Sequence, residues 1–466
     1  MENRPRVGLV LMRAEWPGCG AAGNVLETVE ADTRAIVERL EEHFSVAGPW
    51  VISSTRSMQE AQHALRDAEL DMVLLAFQTW AEDAQLVSLL QAIGSRPLVL
   101  WCYLPWRRVP RPVSRADLLR GAGPVGTFGA LGTLRNLGVP FFFTFGAPDD
   151  PRLMQDLRVA GRAAAVRQYL RKTRFGLIPS RDDLMHVNFV DEFRLMADFG
   201  PVVQYVSVSE LKRTVDRVTP EQARAYLDQL HECYPVVGVT EPTLEQAAHL
   251  AVGLGSVGVD HNFDVVVVND LHPELLNTFH LRPGLYPNLN GGSGPLYLPG
   301  GDLAAATAGF ILNRLTGSDI MFMELWFWDE ARNQIIGGHA GLQNPVLAQE
   351  GQVCVSEDTD FCRPDGTEGA QFQFLAQPGR VTLFQLRSTP QGWQAIAATG
   401  VCLEGQPWVE GLPHAILRMD TPIDHFLNKI AAVGASQHWV MAYGSVLHEI
   451  EAFCQMLQVP LEIMTL

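Results

Sequence analysis

The segment MFMELWFWDEARNQIIGGHAG, residues 321–341, sets one carboxylate in an aromatic run. In a strand, Glu324 shares a face with Phe322, Trp326 and Trp328. A carboxylate among aromatic rings is costly unless it is paired, protonated or bound to a metal. Asp329–Asn333 reads as a hairpin turn, and a register centred between Ala331 and Arg332 puts Glu324 opposite His339. A Glu and a His side by side make half of a metal site. The same spacing fits a plain hairpin with a partly exposed Glu and a capping His, and the residues alone leave both readings open. His438 follows small residues in GASQHWVMAYG, which implies a tight turn, with Trp439 and Tyr443 available as a pocket wall. A lone His in an apolar segment also serves as a hydrogen-bonded core residue. Asp302 follows Pro299-Gly300-Gly301 and precedes LAAATAGFILNRL. There it can cap the helix by accepting from free backbone N–H groups, or its loop can face a substrate.

Other patterns carry less. Gly18, Gly20 and Gly23 spell GxGxxG, and Glu41 and Glu42 lie near the distance a ribose contact needs. The glycines start several residues past the strand, which is the wrong spacing for a dinucleotide loop. His261, His272 and His280 flank FDVVVVND unequally and read as loop or surface residues. The chain has no GxSxG, P-loop or HExxH signature, and the tryptophan-rich run reads as core.

The elements that must position these groups follow from periodicity. RVGLVLM, DMVLLAF, RPLVLWCYLP and VPFFFTFG are short apolar runs. Helical segments alternate with them. The first carries Val25, Val29, Ile36, Val37 and Leu40 at helical spacing, and DAQLVSLLQAI and GTFGALGTLRNLG follow. This alternation implies a parallel sheet with crossover helices, closed by a long helix over MQDLRVAGRAAAVRQYLRK. A second such unit begins at TRFGLIPSR. Its expected parts are a helix through DLMHVNFVDEFRLMADFG, strands VVQYVSVS and FDVVVVND, and a Pro/Gly/Asn-rich loop before the helix at Leu303. From Ser318 onward, DIMFMELWFWD, NQIIGGHAG, GRVTLFQLRS and WQAIAATGVCL read as antiparallel strands, ending with a helix at VLHEIEAFCQMLQV. The expected architecture is α/β: two doubly wound parallel-sheet domains, residues 1–172 and 173–317, followed by a β-rich, barrel-like C-terminal domain, residues 318–466.

Composition narrows the function. The 466 residues are 47% hydrophobic and 19% charged, enough for large cores. A net charge of −17 disfavours nucleic acid and anionic membranes as partners. No signal peptide or spanning segment is apparent. Seven widely spaced cysteines without CxxC suit a reduced, cytoplasmic setting and read as buried, inert thiols.

In order along the chain, TRFGLIPSRDDLMHVNFVDEFRLMADFGPVVQYVSVSEL, FDVVVVNDLHPELLNTFHLRPGLYPNLN, GGDLAAATAGFILNRLTG, FMELWFWD, IIGGHAGLQNP and GASQHWVMAYG resemble the L-arabinose/L-fucose isomerase family. The first third resembles it less closely, through AFQTWAEDAQLVSLLQAIGSRPLVLW. The resemblance implies a homo-oligomer, trimer or hexamer, with a divalent cation, usually manganese, held by two Glu and two His where the second and third domains meet; cobalt or magnesium are alternatives. By position, Glu324, His339 and His438 match three of these ligands. The first Glu falls on Gly300, two residues before Asp302. The implied reaction is aldose–ketose isomerisation through an enediol, with Glu324 as the proton-transfer carboxylate and Asp302 as a stand-in for the missing one. Gln78, Trp80 and His186 come into view as sugar contacts, although each also reads as structural. Gly300 motivates an alternative, a catalytically silent sugar-binding or regulatory relative.

Overall fold

The computed structural model describes residues 4–14, 25–289, 294–358 and 369–464. The GxGxxG glycines, Cys19 and Cys362 lie outside the described residues. The chain divides into two compact units, Met1–Gln168 with His448–Val459, and Tyr169–Leu447 with Pro460–Leu466.

In the first unit, strands β1 (Arg6–Met12), β2 (Ser45–Ile52), β3 (Met72–Phe77), β4 (Leu98–Tyr103) and β5 (Phe142–Gly146) form one sheet. Their order is β2-β1-β3-β4-β5 and every pairing is parallel. Every residue of MVLLAF in β3 and LVLWCY in β4 is buried. Such unbroken apolar runs suit parallel strands covered on both faces. The helix Val25–Glu41 turns Val25, Val29, Thr33, Ile36 and Leu40 inward, one apolar stripe at the helical period.

The second unit begins with β6 (Arg174–Ile178) and β7 (Val202–Tyr205), followed by the two-residue β8 (Val236–Val237), β9 (Val265–Val268) and β10 (Leu296–Leu298). A parallel sheet runs β10-β9-β6-β7. The expected single helix over residues 183–200 is instead a short turn at His186–Asn188 and a helix at Glu192–Asp198. The Asp191 side chain accepts from Arg194 N and starts that helix afresh.

The rest is β-rich: β11 (Ile320–Asp329), β12 (Gln334–Gly338), β13 (Ala348–Glu357), β14 (Ala370–Ala376), β15 (Gly379–Thr389), β16 (Gly392–Cys402), β17 (His414–Met419), β18 (His438–Tyr443) and β19 (Leu461–Ile463). Antiparallel pairings run β16-β15-β18-β11-β12-β17, and a β16–β17 pairing closes them into a barrel-like ring. Closure removes two exposed strand edges. Along β11, Met321 and Met323 enter one core cluster with Leu383, Trp439 and Met441. Alternation turns Ile320, Phe322 and Glu324 to the other face. There the helix Leu303–Thr316 lies close to the sheet: a Cβ on Gly309 would stand 2.8 Å from Ile320 Cδ1 and 3.6 Å from Val440 Cγ1.

A helix that the sequence pattern does not announce spans Ile423–Val433 and ends at Gly434 with φ +65°. Of the cysteines expected to be buried, Cys102, Cys402 and Cys454 are, whereas Cys354 is half-buried and Cys233 is exposed near the end of a polar helix. Among the described residues no helix is long and apolar enough to cross a membrane.

Candidate metal centre

The site grows from the face of β11 that carries the helix Leu303–Thr316. Glu324 pairs with His438 of β18 on one side and Gly338 of β12 on the other. The hairpin turns where the sequence put it, since Asp329 pairs with Gln334 and Phe327 with Ile336. A bulge then shifts the register between Leu325 and Phe327, so Glu324 meets Gly338 and not His339. His339 lies one residue beyond the end of β12 and still turns toward the same point.

The result is a three-residue convergence. Glu324, His339 and His438 each offer a ligand atom, and these atoms lie within 4.8 Å of one another. The imidazole of His438 is buried, with its Nε2 3.8 Å from Glu324 Oε1. Phe322 forms a common backing, its ring centroid 4.8 Å from those of both His339 and His438. Gln343 Nε2 donates to Phe322 O at 2.8 Å and fixes the strand behind that ring. Trp326 Nε1 donates to Glu324 Oε2 at 3.3 Å, a weak bond at the long limit.

Both histidines are oriented through Nδ1. Asp302 Oδ2 stands 2.9 Å from His438 Nδ1, and His339 Nδ1 is 2.6 Å from the Ala340 carbonyl. A carbonyl only accepts, so His339 Nδ1 carries the proton and leaves its Nε2 as a lone pair. Burial pushes the His339 pKa down to about 4, which keeps that ring neutral. Asp302 does two jobs from one position. Its Oδ1 accepts from Ala304 N and Ala305 N, capping the helix, while its Oδ2 meets His438. Gln385 of β15 pins the turn before His438 by accepting from Ser436 N at 2.8 Å and donating to Ser436 O at 2.9 Å.

One atom tests whether a cation fits. His438 Nε2 is buried and has no hydrogen-bond partner. A buried polar atom left unsatisfied costs about 1–3 kcal/mol. A divalent cation between this nitrogen, His339 Nε2 and Glu324 would satisfy it, and mixed imidazole and carboxylate donors suit manganese, cobalt or zinc.

Position 300 carries no side chain, and Gly300 has φ +84°. A Cβ there would lie 3.2 Å from Phe322 Cζ and 3.7 Å from His438 Cε1, facing the same rings. Its backbone is pinned from both sides: Gly300 N donates to Asp270 Oδ1 at 2.9 Å, and Asn188 Nδ2 donates to Gly300 O at 3.1 Å. Burial raises the Asp270 pKa, opposed by the nearby Arg282 guanidinium. Arg282 is itself buried and grips Asp358 through two bonds, 2.8 and 2.7 Å long. Sequence reasoning missed this Asp270–Arg282–Asp358 group, although the acidic end of FDVVVVND was its one visible trace.

The other proposed contacts behave differently. Gln78 is fully buried and bonded to Val29 O and Thr33, in keeping with a structural role. Trp80 is 46% exposed, and His186 stacks edge-on against Phe189. His261 bonds Glu210 and lies flat on Phe263, also a structural arrangement.

Comparison with known proteins adds a second line of evidence. No protein-family model matches the chain. Over 435 residues the chain is 20% identical to sulfoquinovose isomerases from Priestia megaterium and Priestia aryabhattai, covering 93% of this chain and 94% of each relative. A sulfoquinovose isomerase from Alkalicoccus urumqiensis is 19% identical over 328 residues, 70% of this chain and 73% of that protein. The chain is therefore similar to sugar isomerases along nearly its whole length.

Proposed function

We propose that the protein is a metal-dependent aldose–ketose isomerase of the L-arabinose/L-fucose isomerase type, acting on a sugar through an enediol. The observation that carries this reading is His438 Nε2, buried, unpartnered and facing Glu324, in a chain similar to sugar isomerases over 93% of its length. Glu324, His339 and His438 would hold the cation, most simply Mn²⁺. When bound, the cation polarises the sugar carbonyl and stabilises the charge of the enediolate. Glu324 is the carboxylate placed to take a proton from one sugar carbon and return it to its neighbour. Asp302 positions His438 and leaves that proton transfer to Glu324, because its own oxygens serve the helix cap and the imidazole. Phe322 and Trp326 flank Glu324 on the side where the sugar would lie. A cytoplasmic homo-oligomer of three-domain subunits, with boundaries near residues 172 and 317, belongs to the same reading.

The test is a turnover screen. Metal-free protein is incubated with Mn²⁺, Co²⁺ or Mg²⁺ and a panel of pentoses, hexoses, 6-deoxyhexoses and sulfoquinovose, and ketose or aldose product is measured. The expected result is metal-dependent product with at least one sugar, reduced at least a hundredfold in Glu324→Gln, which keeps the shape and removes the charge. If no sugar turns over while Mn²⁺ still raises the melting temperature, the enzyme reading fails and a silent sugar-binding relative takes its place.

A further inference from the structure

A buried charge lies beside the position where the metal centre lacks a side chain. Asp270 stands just past the carboxyl end of β9 and is 1% exposed. Its two oxygens face two different loops. Oδ1 accepts from Gly300 N at 2.9 Å. Oδ2 lies against Gly341, where a Cβ would stand 2.7 Å from it. Position 300 faces Phe322 and His438, and Gly341 closely follows His339 in the chain. The carboxylate therefore sits between the gap at residue 300 and the loop that carries His339.

Asp270 belongs to a linked polar group. Arg282 Nη1 is 4.0 Å from its Oδ2, the outer limit of an ion pair. The same guanidinium makes its two close charged bonds to Asp358, through Nε and Nη2. Nη2 also donates to Gln371 Oε1 at 3.2 Å, and that oxygen accepts from Gly341 N at 3.1 Å, which leads back to the His339 loop. Asp270, Arg282 and Asp358 are all buried.

Two acids share one arginine, so the group carries a negative charge in excess. Arg282 is turned to Asp358, and Asp270 Oδ2 has no hydrogen-bond partner among the described residues. A buried charge without close pairing is costly unless an opposite charge offsets it. The metal centre lies within electrostatic reach. Burial raises the Asp270 pKa, and Arg282, the Gly300 N–H and a positive charge at His438 oppose it. A divalent cation held by Glu324, His339 and His438 meets a single carboxylate among these residues and keeps one positive charge in excess. The excess of the Asp270 group is of equal size and opposite sign.

We infer that Asp270 serves the metal centre as its second carboxylate without touching the ion: its charge offsets that of the cation from behind Gly300, while its Oδ1 holds the Gly300 backbone. Asp270 is thus a positioning residue and not a ligand. That a cation binds there rests on the isomerase reading. The offset supplies, from the neighbouring strand end, the negative charge that residue 300 does not carry.

The experiment is calorimetric titration of the full-length, metal-free protein with Mn²⁺, run beside thermal melting, for the parent and for Asp270→Asn. The amide keeps an oxygen for Gly300 N and removes the charge. Mn²⁺ affinity is expected to fall about tenfold, the lower end of what groups outside the ligand set contribute. The melting temperature of the metal-free protein is expected to hold or rise, because the uncompensated charge is gone. The ratio of the two affinities is expected to persist as salt rises, since buried charges are screened little. A structural carboxylate gives a different pattern: a melting temperature that falls with the affinity, or an affinity that does not change. Either result overturns the inference, as does a difference that salt abolishes. If Asp270→Asn does not fold because its new NH₂ group opposes Arg282, Asp270→Ser is read by the same criteria, its hydroxyl still accepting from Gly300 N. A parent that binds no Mn²⁺ sinks the metal-centre reading itself. A parent that binds Mn²⁺ no better than the folded variant sinks only the role of Asp270.

Discussion

Replacing Asp302 with Asn separates its two jobs. The carboxylate Oδ1 caps the helix by accepting from Ala304 N and Ala305 N at 2.9 and 3.0 Å, and Oδ2 faces His438 Nδ1 at 2.9 Å. An amide keeps one accepting oxygen and replaces the other with an NH₂ group that only donates. If the oxygen stays on the cap, the NH₂ faces Nδ1 and forces the other tautomer, in which Nε2 carries the proton. That is the atom 3.8 Å from Glu324 Oε1, and once protonated it no longer binds a cation. If the amide flips to keep Nδ1 as donor, the cap is lost at about 1 kcal/mol. Groups that orient a metal-binding imidazole contribute roughly 10–100-fold in metal affinity, which is about 1.4–2.7 kcal/mol. The Asn variant should therefore fold within about 1 kcal/mol of the parent and bind Mn²⁺ some 10–100-fold more weakly. Calorimetric titration with Mn²⁺, run beside urea unfolding, reads both numbers. Unchanged Mn²⁺ affinity in a folded Asn variant would refute the positioning role and, with it, the account of why Asp302 lies beside His438.

Three further outcomes follow from the packing. Arg282→Met leaves Asp358 and Asp270 buried without their cation, and should lower urea stability by about 3–5 kcal/mol; a loss under 1 kcal/mol would show that those acids are solvated or protonated in the folded chain. Gly338→Ala would place its Cβ 2.1 Å from Pro413 O, a backbone atom that cannot swing away. It should cost about 1–3 kcal/mol and, by moving the end of β12, weaken Mn²⁺ binding through His339. Phe322→Leu should lower stability by about 1–2 kcal/mol and, on the proposed reading, raise the sugar KM more than it lowers metal affinity, since the ring packs behind the two imidazoles and offers no ligand atom.

Much of this was legible where local pattern decides. The parallel sheets follow from runs such as MVLLAF and LVLWCY, which admit no alternating solvent face. The helix cap at Asp302 was readable from Pro-Gly-Gly before an alanine-rich helix, and the hairpin centre from Asp329–Asn333. What escaped is non-local. A bulge at Trp326 moves every pairing beyond it by one residue, and nothing in the residue types there announces it. The pairing of Glu324 with His438 joins strands more than a hundred residues apart, so His438 looked solitary in sequence. The Asp302–His438 contact depends on the helix lying along one face of β11 and β18, which is a packing outcome.

Gly300 bears most directly on whether the centre works. If the loop had merely decayed, its backbone should be loose, yet Asp270 and Asn188 hold its N–H and C=O at 2.9 and 3.1 Å. A side chain at that φ of +84° would be strained for any residue but glycine, so the backbone and the residue agree. The space that a Cβ would fill opens onto Phe322 and His438, beside the nitrogen that lacks a partner. A structural metal site closes its coordination with protein atoms, whereas a catalytic one keeps positions for water or substrate. On the proposed reading, three convergent residues with no side chain at position 300 belong to the second kind. On the proposed reading the absent side chain is thus room for a sugar oxygen at the cation, and the chain has lost a ligand without losing the geometry that reactions at a bound metal require.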